Sequence, residues 1–195
     1  MFSSIDYLNL SPQPIVGVDE AGRGCLAGPV FAGAVILKFP QKFQDSKSLS
    51  WQQRKKLSLD IKNHHIFGIG FASIEEIESL NIHQASLLAM KRAVENLKIQ
   101  SGHLIIDGKF TLKGFSNFQQ TAFVKGDQRA LPIMAAGILA KTERDQLLIS
   151  YSNQYPEYGF EKHKGYATKK HKQAIQKYGP CSLHRKSFSG VKEFI

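Results

Sequence analysis

Residues 15–37 read IVGVDEAGRGCLAGPVFAGAVIL, and this stretch decides the fold. The apolar run from Ile15 to Asp19 has the character of a buried strand and ends on two adjacent carboxylates, Asp19 and Glu20. Gly22, Arg23 and Gly24 follow, and a second strand is predicted over Val30–Leu37. Two acids at the end of a buried strand are costly unless a cation sits with them. A bound divalent metal is the usual solution. Glycines on both sides of Arg23 let backbone amides come close to a ligand, because no Cβ intervenes. Metal-binding acids beside such a surface point to phosphodiester chemistry. Adjacent side chains on an ideal strand face opposite ways, so Asp19 and Glu20 share a site only if the strand ends or twists there.

Further along the chain, more acids stand at predicted strand ends. His103–Ile106 is a short predicted strand that runs into Asp107-Gly108. Thr121–Val124 is another, running into Lys125-Gly126-Asp127. One Asp before a Gly is often a turn residue. Three such ends in one small protein point to convergence, since ligand sites gather at strand ends in open α/β sheets. Four carboxylates cannot all ionise close together without a counter-charge. Hard oxygen donors of this kind select Mg²⁺ or Mn²⁺ rather than zinc. None of the seven His lies beside the acids in sequence, so nucleophilic His/Ser/Cys schemes find no support.

Helices fill the intervals. Ser50 with Gln53 is a capping-box pair for a helix running to about Asn63, and Ile66–Ala72 is a Gly-containing strand. Ser73 with Glu76 caps a short helix, and Asn81 caps a longer one with Ile82, Ala85, Leu88, Ala89, Ala93 and Leu97 at helical period. A long helix is predicted from about Leu131 to Ser150, with Pro132 in its first turn. The last starts near Thr168 and stops at Gly179-Pro180. Early strands followed by strand–helix alternation indicate an α/β layer fold with a mixed sheet.

Composition narrows the partners. The chain of 195 residues suits one packed domain and carries a net charge of +10. Residues 157–193 hold nine Lys/Arg and three Glu, interleaved with aromatics and histidines. The plain reading is a solvated helix face; beside an acidic site, a surface gripping a polyanionic backbone fits better. The first residues lack a basic start and a continuous apolar run, so no secretory signal is expected, and a cytoplasmic monomer is. Cys25 and Cys181 form no metal or disulfide pattern.

The stretch at residues 15–37 closely resembles the motif of type 2 ribonuclease H, the ribonuclease HII family. The resemblance recurs at DSKSLS (45–50), LIIDG (104–108), KGDQRALPIMAAGILAKTERD (125–145), HKGYATKKH (163–171) and HRKSF (184–188). It implies a ribonuclease H-like mixed sheet flanked by helices, with residues 157–195 forming a small basic helical extension of the single domain. It implies an endonuclease that cuts the RNA of RNA–DNA hybrids, and single ribonucleotides in duplex DNA, on the 5′ side, leaving 5′-phosphate and 3′-hydroxyl ends. It makes Asp19, Glu20, Asp107 and Asp127 the acidic metal cluster. Gly22, Arg23 and Gly24 resemble the ribose-sensing segment. Tyr166 resembles the tyrosine reading the RNA–DNA junction; its structural alternative is an aromatic that holds the tail. Lys47, Lys164 and Arg185 are candidates for phosphate contact, as are His163, Thr168 and His171 for contact or support.

The sequence departs from the family pattern at Cys25, Ala130, Pro132, Gly137 and Ala167. Serine is frequent in the family at positions 130, 132 and 137, so helix-borne hydroxyl contacts are not expected here. Type 3 ribonuclease H is the enzyme alternative; the arginine at 23 and the 18 residues before Asp19 argue against it. A non-catalytic nucleic-acid binder is the other, and the full acidic set argues against that. The tail GVKEFI matches no clamp-binding motif.

Overall fold

A computed structural model describes residues 4–41, 43 and 49–195. Five strands form one mixed sheet in the order β3-β2-β1-β4-β5. These are β1 (Ile15–Ala21), β2 (Val30–Ile36), β3 (Ile66–Ala72), β4 (Gly102–Asp107) and β5 (Phe118–Phe123). β1–β2 and β2–β3 pair antiparallel, while β1–β4 and β4–β5 pair parallel. The carboxyl ends of β1, β4 and β5 therefore meet at one edge.

The α/β expectation holds, with α1 (Trp51–His64), α2 (Ile74–Glu95), α3 (Leu131–Ser150), α4 (Phe160–His163) and α5 (Lys169–Tyr178) around the sheet. Both capping boxes form: Ser50 with Gln53, and Ser73 with Glu76. Each such cap stabilises its helix by about 1 kcal/mol. Asn81 breaks α2, as its capping role predicts. It takes φ 68° and accepts the amides of His83 and Gln84 at 3.0 and 3.2 Å.

β5 begins three residues before the predicted start. Its opening residues, Phe118-Gln119-Gln120, carry little apolar signal because β5 is a half-exposed edge strand. Pairing of Gly102–Leu104 with Phe118–Gln120 supplies what the local pattern lacks. The four-residue α4 escapes sequence reading because one turn has no period to detect.

One apolar layer lies between the sheet and α2, built on Val16, Val18, Leu104, Ile106, Ala89, Met90 and Ala93. A second lies under α3 and α1, with Val35, Ile61, Ile138 and Leu139. α3 comes very close to the sheet because Gly17 faces the backbone of Pro132 and Ile133, where a Cβ would collide. A third cluster joins the C-terminal residues Tyr158, Phe160, Ile175, Leu183 and Val191 to Leu26, Ala27 and Leu148. Its burial lays residues 157–195 against the loop that follows β1. Among the described residues no helix is long and apolar enough to cross a membrane.

Candidate active site

β1 departs from its expected end. Its pairing with β4 stops at Val18↔Ile106, yet its pairing with β2 continues through Glu20↔Ala32 and Ala21↔Phe31. The strand thus leaves β4 just where the acids begin, and the sheet opens. The gap admits both neighbouring carboxylates although their strand is still paired on one side.

A cavity of about 210 Å³ occupies the opening. Asp19, Glu20, Asp107 and Asp127 line it, with Gly22, Gly137, Lys141 and Tyr166. β1 supplies Asp19 and Glu20, β4 supplies Asp107, and a single turn after β5, Gly126–Gln128, supplies Asp127. The acids are held from behind by amides. Asp19 Oδ1 accepts from the Glu20 amide at 2.7 Å. Asp107 Oδ1 accepts from the amides of Gly126 at 2.7 Å and Asp127 at 3.3 Å.

Burial pushes the Asp19 carboxyl well above its ordinary range, and the charges of Glu20, Asp107 and Asp127 push it further. Glu20 is raised to about 7, first by burial and against the pull of Arg23, whose guanidinium lies 3.7 Å away. These like charges repel one another across the cavity. Lys141 Nζ, which also faces the cavity, is paired with Asp145 at 2.7 Å. Among the described residues no three His, Cys, Asp or Glu side chains have converged on ligand geometry. The four carboxylates surround a cavity rather than a point. Their oxygen donors and mutual repulsion nonetheless fit a hard divalent cation.

Tyr166 also lines the cavity and is 40% exposed. Its hydroxyl accepts from Lys141 Nζ at 3.3 Å, and the same ammonium lies 4.5 Å from the ring centre. Tyr166 forms a β-bridge with Cys25, directly after the Gly22-Arg23-Gly24 turn. Arg23 lines an adjoining cleft that shares the Glu20 and Asp107 wall. Gly24 is open, with no atom near the place a Cβ would occupy.

One phosphate candidate is corrected. Arg185 is fully buried, and its guanidinium donates to the carbonyls of Gly22, Arg23 and Gly28. It cannot meet a phosphate, because the third apolar cluster folds it beneath the loop. Lys164 is half-buried and lies off the cavity wall; its Nζ donates to the carbonyls of Glu161 and Lys162 at 2.6 and 3.2 Å. His171 is likewise buried, while Thr168 caps α5 by accepting the His171 amide. Lys47 lies outside the described residues.

Sequence reading missed Lys141. It stands one helical turn after Gly137, so the two share a face of α3, and that spacing was the available signal. It also missed Arg144, whose buried guanidinium donates to the carbonyls of Ala27, Pro29 and Lys164.

A family model described as ribonuclease HII matches residues 16–191. A ribonuclease HII of Caldicellulosiruptor bescii is 46% identical over 186 residues, covering 93% of this chain and 89% of that protein. One of Endomicrobium trichonymphae is 45% identical over 204 residues, covering 100% and 97%. The fold is also that of the ribonuclease H2 of Pyrococcus horikoshii OT3, at a TM-score of 0.76 and 22% identity, over 92% of this chain and 96% of that one. The chain belongs to the ribonuclease HII family of endoribonucleases.

Proposed function

We propose that this chain cuts the RNA strand of RNA–DNA hybrids and cuts at single ribonucleotides embedded in duplex DNA, on the 5′ side of the ribonucleotide. The observation that carries this reading is one cavity lined by four carboxylates from three strand ends together with Gly22 and Tyr166. Asp19, Glu20, Asp107 and Asp127 are the groups that would hold Mg²⁺ or Mn²⁺. Bound there, such ions supply activation of water and stabilisation of the departing 3′ oxygen.

The protein's own groups do the rest. The amides behind Asp19 and Asp107 fix those carboxylates in place. The amides of the Gly22–Gly24 turn offer donors for a 2′-hydroxyl, the group that separates RNA from DNA. The Tyr166 ring, steadied by Lys141, packs against the neighbouring deoxyribose. The exposed lysines of α5 take phosphates further along the duplex.

A DNA duplex carrying one ribonucleotide, incubated with Mg²⁺ or Mn²⁺, tests this. The expected result is one incision, leaving a 3′-hydroxyl upstream and a 5′-phosphate on the ribonucleotide. An intact duplex, or equal cutting of an all-DNA control, overturns it.

A further inference from the structure

The motif HRKSF at residues 184–188 has no place in the chemistry above, and its first two side chains are buried. Arg185 sits beneath the loop after β1. Its Nη2 donates to the Gly22 carbonyl at 2.7 Å, Nη1 to the Arg23 carbonyl at 2.9 Å and Nε to the Gly28 carbonyl at 2.9 Å. A trans peptide points its C=O and the next N–H in opposite directions. Drawing the carbonyls of Gly22 and Arg23 inward therefore turns the amides of Arg23 and Gly24 outward. Among the described residues neither of those amides donates to the protein.

His184 reaches the other recognition element. Its Nδ1 accepts the Cys181 amide at 2.9 Å, so its hydrogen is on Nε2. That Nε2–H faces His171 Nε2 at 3.0 Å, which must accept. The hydrogen of His171 is then on Nδ1, where it donates to the Tyr166 carbonyl at 2.9 Å. Burial holds both rings neutral, each lowered to about 4, so this one-way chain of donors persists at neutral pH. The main chain completes the arrangement. Residues 25–28 lie between two segments, joined to Tyr166 by the Cys25 bridge and to His184 by the Ala27 bridge.

We infer that His184 and Arg185 are positioning residues that set the Gly22–Gly24 turn and Tyr166 at a fixed separation, and that this separation determines the preference for an RNA–DNA junction over a uniform hybrid. The inference rests on the proposed reading that the turn and Tyr166 face adjacent sugars. Neither side chain touches the substrate. A lysine at 185 cannot replace the guanidinium, because one ammonium lacks the planar fork that spans three carbonyls. A glutamine at 184 can still donate to His171 from near the Nε2 position, whereas a phenylalanine cannot.

The test uses Arg185→Lys, His184→Gln and His184→Phe in the full chain, each with three readouts. These are kcat/KM on a single-ribonucleotide duplex and on a uniform hybrid, the amide NMR resonances of Arg23, Gly24 and Tyr166, and a thermal melt. Arg185→Lys is expected to shift the Arg23 and Gly24 amides and lower the junction-to-hybrid ratio by about tenfold, the scale of removing one charge-assisted hydrogen bond. His184→Phe is expected to lower the ratio and shift Tyr166, and His184→Gln to restore both. Equal losses on both substrates that follow the folded fraction, with the amides unmoved, overturn the inference. Should Arg185→Lys not fold, the two His184 variants decide by the same measures. If the unaltered chain cuts neither substrate, the proposed function fails, while the amide shifts still uphold or overturn the coupling.

Discussion

A β-carbon on Gly137 would overlap Oδ2 of Asp19, so the middle of α3 rests directly on the first carboxylate of the site. Gly137→Ala therefore sets two effects against each other. Alanine favours a helix interior by about 1 kcal/mol over glycine, while its methyl displaces the Asp19 carboxylate. Cleavage should fall with no matching loss in melting temperature. Gly137→Ser adds the same Cβ with a hydroxyl that can donate to Asp19, and should keep more activity. Paired melts and turnover assays check this; full activity in Gly137→Ala would show that Asp19 moves freely.

Asp19→Asn, Glu20→Gln and Asp107→Asn should each reduce cleavage by about a hundredfold or more, the usual scale for removing one electrostatic contact to the reacting group. Duplex binding should persist or tighten, because each change removes a negative charge near phosphate. Chelation of divalent ions should abolish turnover in the unaltered chain. Near-normal rates in all three variants at saturating Mg²⁺ or Mn²⁺ would move the site elsewhere.

Tyr166→Ala should impair cutting at a single embedded ribonucleotide far more than it impairs folding. The hydroxyl of Tyr166 has Lys141 as its hydrogen-bond partner, so Tyr166→Phe gives up one exposed hydrogen bond and keeps the ring. It should retain most of the activity. A loss in Tyr166→Ala that follows only the folded fraction would make the residue a support for the tail.

Lys162, Lys169, Lys170 and Lys172 are exposed on α4 and α5. Neutralising all four should weaken binding to hybrid and all-DNA duplexes alike. The slope of log affinity against log salt should become shallower by about 0.9 for each duplex phosphate that the protein no longer neutralises. Fluorescence anisotropy over a salt series reads both quantities, and an unchanged slope would place these lysines off the backbone.

Acid should loosen the C-terminal extension before the sheet. His171 and His184 face His163, Tyr158 and Cys181, and burial lowers both rings from 6.5 to about 4. Between those values the unfolded chain binds more protons than the folded one, so stability rises with pH across that window. It is fully present above about 6.5 and is lost as pH falls towards 4. Melts and limited proteolysis between pH 6.5 and 4.5 should show residues 157–195 released early. His184→Gln should flatten the dependence; an identical profile would assign the acid lability to other groups.

What the sequence determined by itself was whatever a few neighbouring residues encode. The Ser50–Gln53 and Ser73–Glu76 boxes and the Asn81 break are local hydrogen-bonding choices, and each was legible. So were the acids, because Asp19, Asp107 and Asp127 each end or closely follow an apolar run. The edge strand β5 was legible only in part, since its first residues draw their order from β4.

Tertiary structure alone decided where the cations face. Arg185 looks like a surface charge in a basic segment, because sequence carries charge but not burial. The carbonyls that Arg185 meets lie 157 to 163 residues away, brought to it when Leu183 and Val191 pack on Leu26 and Ala27. The shared cavity for Asp19 and Glu20 was decided the same way. Local alternation sends the two side chains apart, and only the parting of β1 from β4 beyond Val18 lets both reach one opening. Periodicity and capping act within a few residues, whereas the direction of a buried guanidinium or the opening of a sheet depends on packing across the whole chain.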